Sequence, residues 1–129
     1  MILLDTHVLI WMALEPGRLS RKARRAIVEA RSQNGLALAA ISLWELAWIA
    51  HHGRVQVAGS VEAFVRDCAA KTIIQPITPE IAALAVRLPA TYPKDPQDRL
   101  IASTAIVEGM ALVTADKDIR ASKVVPTIW

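Results

Sequence analysis

The sequence predicts an α/β fold in which a mainly parallel sheet is flanked by helices. Three observations carry this: five short apolar runs bounded by breakers, helical apolar periodicity between them, and a length of 129 residues. Strands that alternate with helices are joined by crossovers and so run parallel. The length suits one domain, residues 1–129, whose core needs no disulfide or metal staple.

The elements follow in order. Ile2 to Leu4 reads as a buried strand that ends at Asp5 and Thr6. Ser20 to Gln33 is helical, with Leu19, Ala23, Ala26, Ile27 and Ala30 on one face. Leu36 to Ala40 is the second strand, and a helix over Ser42 to His52 follows it; Ser42-Leu-Trp-Glu45 has the spacing of a capping box at its start. Helices over Ser60 to Ala70 and Thr78 to Leu88 enclose a strand at Ile73 to Gln75. Asp95 followed by Pro96 is an N-cap with proline at the first helical position, and Gly109 closes that helix, Pro96 to Glu108. The last strands are Ala111 to Thr114 and Val124 to Ile128, and Asp116 is placed to cap a short helix from Lys117 to Ala121.

Composition narrows the function. Hydrophobic residues at 53% and charged residues at 21% exclude long disorder. The lone Cys68 cannot close an internal disulfide, which fits a reducing compartment. The longest nearly apolar stretch, Leu36 to Ala50, is interrupted by Ser42 and Glu45 and is shorter than the ~20 residues of a membrane span. No basic region precedes the first apolar run, as a secretory signal requires. A cytoplasmic protein without membrane partners is expected. The net charge is +3, yet Arg18, Arg21, Lys22, Arg24, Arg25 and Arg31 are opposed locally only by Glu29. Such a cluster is either a solvated helix face or a surface that tracks phosphates.

The acids carry the chemistry. Asp5 ends the first strand, Glu45 lies near the start of the helix after the second, Asp98 opens the helix feeding the fourth, and Asp116 follows that strand. In a parallel sheet all four fall on the carboxyl rim, where ligands bind at the switch in strand order. Each also has a structural reading: Glu45 in the capping box, Asp98 against the helix dipole, Asp116 as a cap. Close carboxylate pairs repel by roughly 1 to 4 kcal/mol at surface-like dielectric, so a cation should compensate. Oxygen ligands without a thiolate or imidazole cluster select Mg²⁺ or Mn²⁺, one or two ions. His51 and His52 read as a helix end, and His7 as a single residue without a partner. A divalent ion beside basic surface suits phosphoryl transfer, because it lowers the pKa of an attacking water and neutralises charge in the in-line transition state. Fifteen Lys and Arg against the eight other acids leave +7 on the rest of the chain, which favours a phosphodiester substrate.

Six blocks occur together in order: Leu3-Leu-Asp-Thr-His-Val-Leu-Ile-Trp11, Ile41-Ser-Leu-Trp-Glu-Leu-Ala47, Pro76-Ile-Thr-Pro79, Asp95-Pro-Gln-Asp-Arg-Leu-Ile-Ala102, Glu108-Gly-Met-Ala-Leu-Val-Thr-Ala-Asp116 and Val125-Pro-Thr-Ile-Trp129. Nearly end to end, the chain resembles the PIN-domain ribonucleases, specifically VapC-type toxins of toxin–antitoxin pairs. The resemblance implies a sheet ordered 3-2-1-4-5, Mg²⁺- or Mn²⁺-dependent RNA cleavage leaving 5′-phosphate and 3′-hydroxyl ends, and metal binding by Asp5, Glu45, Asp98 and Asp116. It places Thr6, Ser42 and Thr114 as hydrogen-bonding partners of that site. It also implies a VapB-like antitoxin and a homodimer, to which the apolar circumference of Leu43 to Ala50, with Trp44, Trp48 and Ile49, offers a surface. Ile49 and Gln97 stand where many relatives carry a lysine and an aromatic residue.

Other classes fit less well. A receiver-like regulatory module needs a phosphoacceptor Asp after the third strand, where Gln75 and Pro76 stand; a haloacid-dehalogenase-type phosphatase needs a second Asp at the position of His7. A catalytically idle relative that binds RNA or metal is separated from the nuclease only by turnover.

Overall fold

The computed structural model describes residues 1–129. Its elements are β1 (Ile2–Leu4), α1 (Thr6–Leu14), a 3₁₀ turn (Pro16–Arg18), α2 (Arg21–Ser32), β2 (Leu36–Ala39), α3 (Ala40–His51), α4 (Val61–Ala69), β3 (Thr72–Gln75), α5 (Pro79–Arg87), α6 (Pro96–Val107), β4 (Leu112–Val113), α7 (Lys117–Ser122) and β5 (Thr127–Ile128). All five strands are parallel, in the order β3-β2-β1-β4-β5. The expected fold class and strand order are both present.

Strand alternation divides the core in two. Leu4, Leu36, Leu38 and Val113 point to the side where α1, α2 and α3 pack, with α4 at its margin. Leu3, Ala37, Ala39 and Leu112 point to the other, under Leu88, Ile101, Ala102, Ala105 and Ile119 of the α5–α7 side. The sheet is thus covered on both faces, which is why its strands read as unbroken apolar runs. Each fully buried leucine contributes roughly 1.5–3 kcal/mol by transfer from water.

Helix ends follow their local chemistry. Ser20, Ser60 and Thr78 accept from the backbone three residues on, at 3.0, 3.0 and 3.2 Å. Asp95 caps α6 by accepting from Gln97 N at 2.9 Å. The same helix ends in a Schellman motif, with Gly109 N on Ile106 O, Met110 N on Ala105 O, and Gly109 at φ 68°.

Two expectations are corrected. The sequence pattern assigns no element to Thr6–Leu14, yet it forms α1. That helix packs Val8, Leu9 and Ile10 into the core and carries apolar Trp11, Met12, Ala13 and Leu14 on its more open side, so it shows no amphipathic period. The capping box at Ser42 and Glu45 does not form. α3 starts earlier, at Ala40, with Ala39 at the cap position and no side-chain cap bond. Both side chains turn to Thr6 instead.

Candidate active site

β1 has neighbours on both sides, β2 reached in one direction and β4 in the other, so the switch in strand order lies between β1 and β4. Asp5 leaves β1 at that point. Its backbone N–H still belongs to the sheet, donating to Val113 O at 3.0 Å, while its carbonyl accepts the first bonds of α1. The side chain is 6% exposed. Oδ1 accepts from Thr6 N at 2.8 Å, and Oδ2 accepts from the Thr114 hydroxyl at 2.8 Å. Asp5 therefore does cap a helix, one the sequence pattern does not reveal.

Thr6 joins the next acid. Its hydroxyl lies 2.6 Å from Glu45 Oε1 and 2.8 Å from Ser42 Oγ. One hydroxyl has one proton, and the charged acceptor claims it, so Ser42 donates to Thr6 and Thr6 donates to Glu45. Glu45 itself sits in the second turn of α3, not the first. Burial pushes its carboxyl up; the Thr6 hydroxyl opposes that, and the negative fields of Asp5 and Asp95 add to it.

Asp98 is in the first turn of α6, behind the Asp95–Pro96 cap. Burial, then the charges of Asp5, Asp95, Glu45 and Asp116, push its carboxyl up to about 7. Asp116 follows β4 and caps α7: its Oδ1 accepts from Asp118 N at 2.8 Å and Ile119 N at 3.0 Å. Thr114 ties it to Asp5, because the hydroxyl that donates to Asp5 accepts from Asp116 N at 3.1 Å. The charges of Asp5, Glu45 and Asp116 thus all act on Asp98; Thr6 and Thr114 give their hydroxyl protons to Glu45 and Asp5, and Ser42 backs Thr6.

Two contributors escaped the sequence. Tyr92 is 1% exposed and donates its hydroxyl to the Asp98 carbonyl at 3.1 Å. Burial raises its phenol further above the ordinary range, and Asp98, Asp5 and Asp116 add to this. His7 is not partnerless: Nε2 accepts from Ala115 N at 3.1 Å. An accepting ring nitrogen carries no proton, so the proton is on Nδ1, which faces Asp5 Oδ2 at 3.6 Å. An aromatic residue shortly before an Asp-Pro cap is the only trace of Tyr92 in the sequence. The basic residues stand apart on the 3₁₀ turn and α2, where Arg18, Arg21, Lys22, Arg24 and Arg25 are exposed.

No Lys or Arg pairs with any of the four acids; the ion pairs present are Arg18–Glu15 and Arg66–Glu62, and the neutral His7 only faces Asp5. In this structure no three His, Cys, Asp or Glu side chains stand close enough together to hold a metal ion between them. The donors nevertheless fit a hard divalent cation: they are all carboxylates, they repel one another, and nothing on the chain neutralises them.

Comparison with known proteins agrees with this geometry. A family model described as PIN domain matches residues 2–124. The chain is 46% identical over 122 residues to "Ribonuclease VapC22" of Mycobacterium tuberculosis, covering 95% of this chain and 92% of that one. Among solved structures, a chain of the promoter-bound VapBC2 complex of Rickettsia felis superposes with a TM-score of 0.75 at 17% identity, covering 98% of this chain and 97% of that one. A chain of DNA-bound VapBC from Salmonella typhimurium gives 0.74 at 18%, with the same coverage. The match over nearly the whole length, on a sheet whose switch point holds the four acids, shows that the chain belongs to the PIN-domain family, in its VapC branch.

Proposed function

We propose that this protein is a divalent-metal-dependent endoribonuclease and the toxin of a toxin–antitoxin pair. The observation that carries this reading is that Asp5, Glu45 and Asp116 lie near enough for their charges to act on Asp98 at the carboxyl edge of the sheet, with no Lys or Arg partner. The 46% identity to a named ribonuclease supports it.

Asp5, Glu45, Asp98 and Asp116 would hold Mg²⁺ or Mn²⁺. When bound, such an ion supplies a water of lowered pKa and neutralises charge on a phosphodiester under attack. The chain's own residues orient the acids. Thr114 and the Thr6 N–H fix Asp5, the Ser42–Thr6 relay fixes Glu45, the α7 N-terminus fixes Asp116, and Tyr92 holds the turn that carries Asp98. Exposed bases of the 3₁₀ turn and α2 would hold the RNA backbone.

A VapB-like antitoxin and a second copy of the chain are the partners of this reading. The apolar face of α3 serves them: Trp44 is 52% and Trp48 36% exposed, an unusual display for a monomer. No helix is long and apolar enough to cross a membrane, and the cytoplasm, where RNA is found, is the compartment that fits.

Cleavage of RNA by the purified protein tests the reading. Wild type should cleave only with Mg²⁺ or Mn²⁺, and Asp5→Asn should lose several kcal/mol of transition-state stabilisation, about a thousandfold in rate. Equal cleavage by both proteins would assign the activity to a contaminant. Metal binding by wild type without turnover would favour the idle, RNA-binding alternative.

A further inference from the structure

A row of packed rings leads outward from Asp5. Its inner rung is His7, fixed by Ala115 N on one nitrogen and facing Asp5 with the other. The His7 ring lies 4.9 Å from that of Trp11, tilted by 60°. Trp129 closes a further side of Trp11 at 5.8 Å. Over the indole stands the Arg18 guanidinium, its Cζ 4.0 Å from the ring centroid.

Arg18 is held ready yet left accessible. Its side chain is 55% exposed, although the 3₁₀ turn that bears it is pinned by Arg24 Nη2 on Pro16 O at 3.1 Å. The acid that competes for it, Glu15 at 3.8 Å, is 60% exposed, and such a pair holds little energy in water. A guanidinium backed by an indole loses little freedom on binding, and it offers both a flat face to a base and N–H edges to a phosphate. Beyond it Arg21, Lys22 and Arg25 are exposed and have no salt-bridge partner.

We propose that Arg18 contacts substrate in the ribonuclease reaction, holding a nucleotide beside the scissile bond of single-stranded RNA, and that Trp11 is the positioning residue that presents it. The proposal rests on the ribonuclease reading above. A single strand is required because only an unstacked base can lie on the guanidinium face. RNA suits the site better than an acidic peptide, since the inner end of the row is a carboxylate of the reaction site itself.

The test uses the full chain with Mn²⁺ and a single-stranded oligoribonucleotide. Arg18→Ala should raise KM about tenfold, the loss of one stacked base, with kcat unchanged within about twofold. Arg18→Lys should keep the salt dependence of KM but not its low value. Trp11→Phe should keep KM close to wild type; Trp11→Leu, checked for an intact melting transition, should match Arg18→Ala and add nothing to it in the double variant. Arg87→Ala, on α5 in the opposite layer, is the control. An equal rise in KM for Arg87→Ala and Arg18→Ala would overturn the proposal, because general charge would then explain both. So would a fall in kcat at constant KM, or unchanged RNA binding by Arg18→Ala together with weakened capture of a partner protein. If wild type leaves all RNA intact, the ribonuclease reading fails first; an active wild type with an indifferent Arg18→Ala sinks only the subsite.

Discussion

Thr114 donates its hydroxyl to Asp5 Oδ2 across 2.8 Å, joining residues 109 apart in the chain at the ends of β4 and β1. The same oxygen accepts from Asp116 N, so one side chain ties two acids together. Thr114→Val keeps the shape and removes both bonds. Loss of such an orienting partner typically costs 10–100-fold in metal affinity or rate. We expect a decline of about that size in Mn²⁺-supported cleavage, with Thr114→Ser near wild type; a titration of rate against Mn²⁺ checks it.

The acid site should make the metal-free protein less stable as pH rises. Asp98 is pushed up to about 7 in the folded chain from the ordinary 3.8. Stability from its neutral form is complete below the ordinary value, is lost as pH rises toward 7, and is level above that. Asp98 is partly exposed, so water screens the effect, and the melting temperature should fall by only a few degrees between pH 5 and 8. Asp98→Asn should flatten the dependence. A thermal-shift series in chelator reads both.

Adding a divalent ion should reverse that slope. Binding needs deprotonated carboxylates and occurs only on the folded chain, so it stabilises more at pH 8 than at pH 5. At a hundredfold excess over its Kd the ion adds about 2.7 kcal/mol, equivalent to several degrees. Calorimetric melting with and without millimolar Mn²⁺ measures this. No difference between wild type and Asp98→Asn would mean that the four acids do not form one metal site.

Arg99 should matter for stability and activity together. Its guanidinium donates to Ala85 O, Leu88 O, Pro89 O and Tyr92 O at 3.0–3.4 Å, satisfying carbonyls at the end of α5 and pinning the loop that carries Tyr92 under Asp98. Arg99→Met should destabilise by about 2 kcal/mol, the scale of a charged hydrogen bond. Arg99→Lys should recover little, since a point charge cannot span four carbonyls. Urea unfolding with a parallel cleavage assay resolves both effects.

The strands, α2, α4, α5 and α6 could be read from the sequence because each carries a local signal: an apolar run, an amphipathic stripe, or a cap such as Ser60, Thr78 or Asp95–Pro96. α1 could not. Its buried residues Val8, Leu9 and Ile10 and its more exposed Trp11, Met12, Ala13 and Leu14 are all apolar, so the polar face that would give it a helical period is missing. The acids were legible because topology alone puts strand ends on one rim. Their partners depend on side-chain direction, and so the Ser42–Glu45 spacing suggested a cap where the chain makes a relay through Thr6. Tyr92 and His7 were hidden for the same reason: their bonds to the Asp98 carbonyl and Ala115 N depend on where loops return.

Asp5, Asp116 and Asp95 each lend an oxygen to the start of a helix. The carboxylates of Asp5 and Asp116 are therefore held before any ligand arrives, and the entropy of placing them is spent during folding. The same economy leaves these positions little room to vary: a change that silences the chemistry by removing the carboxyl also unfastens a helix. Removing the carboxyl of Asp5 or Asp116 thus loosens the fold as well as the site, so an inactive but intact form is most directly obtained by exchanging one oxygen for nitrogen, as in Asp5→Asn.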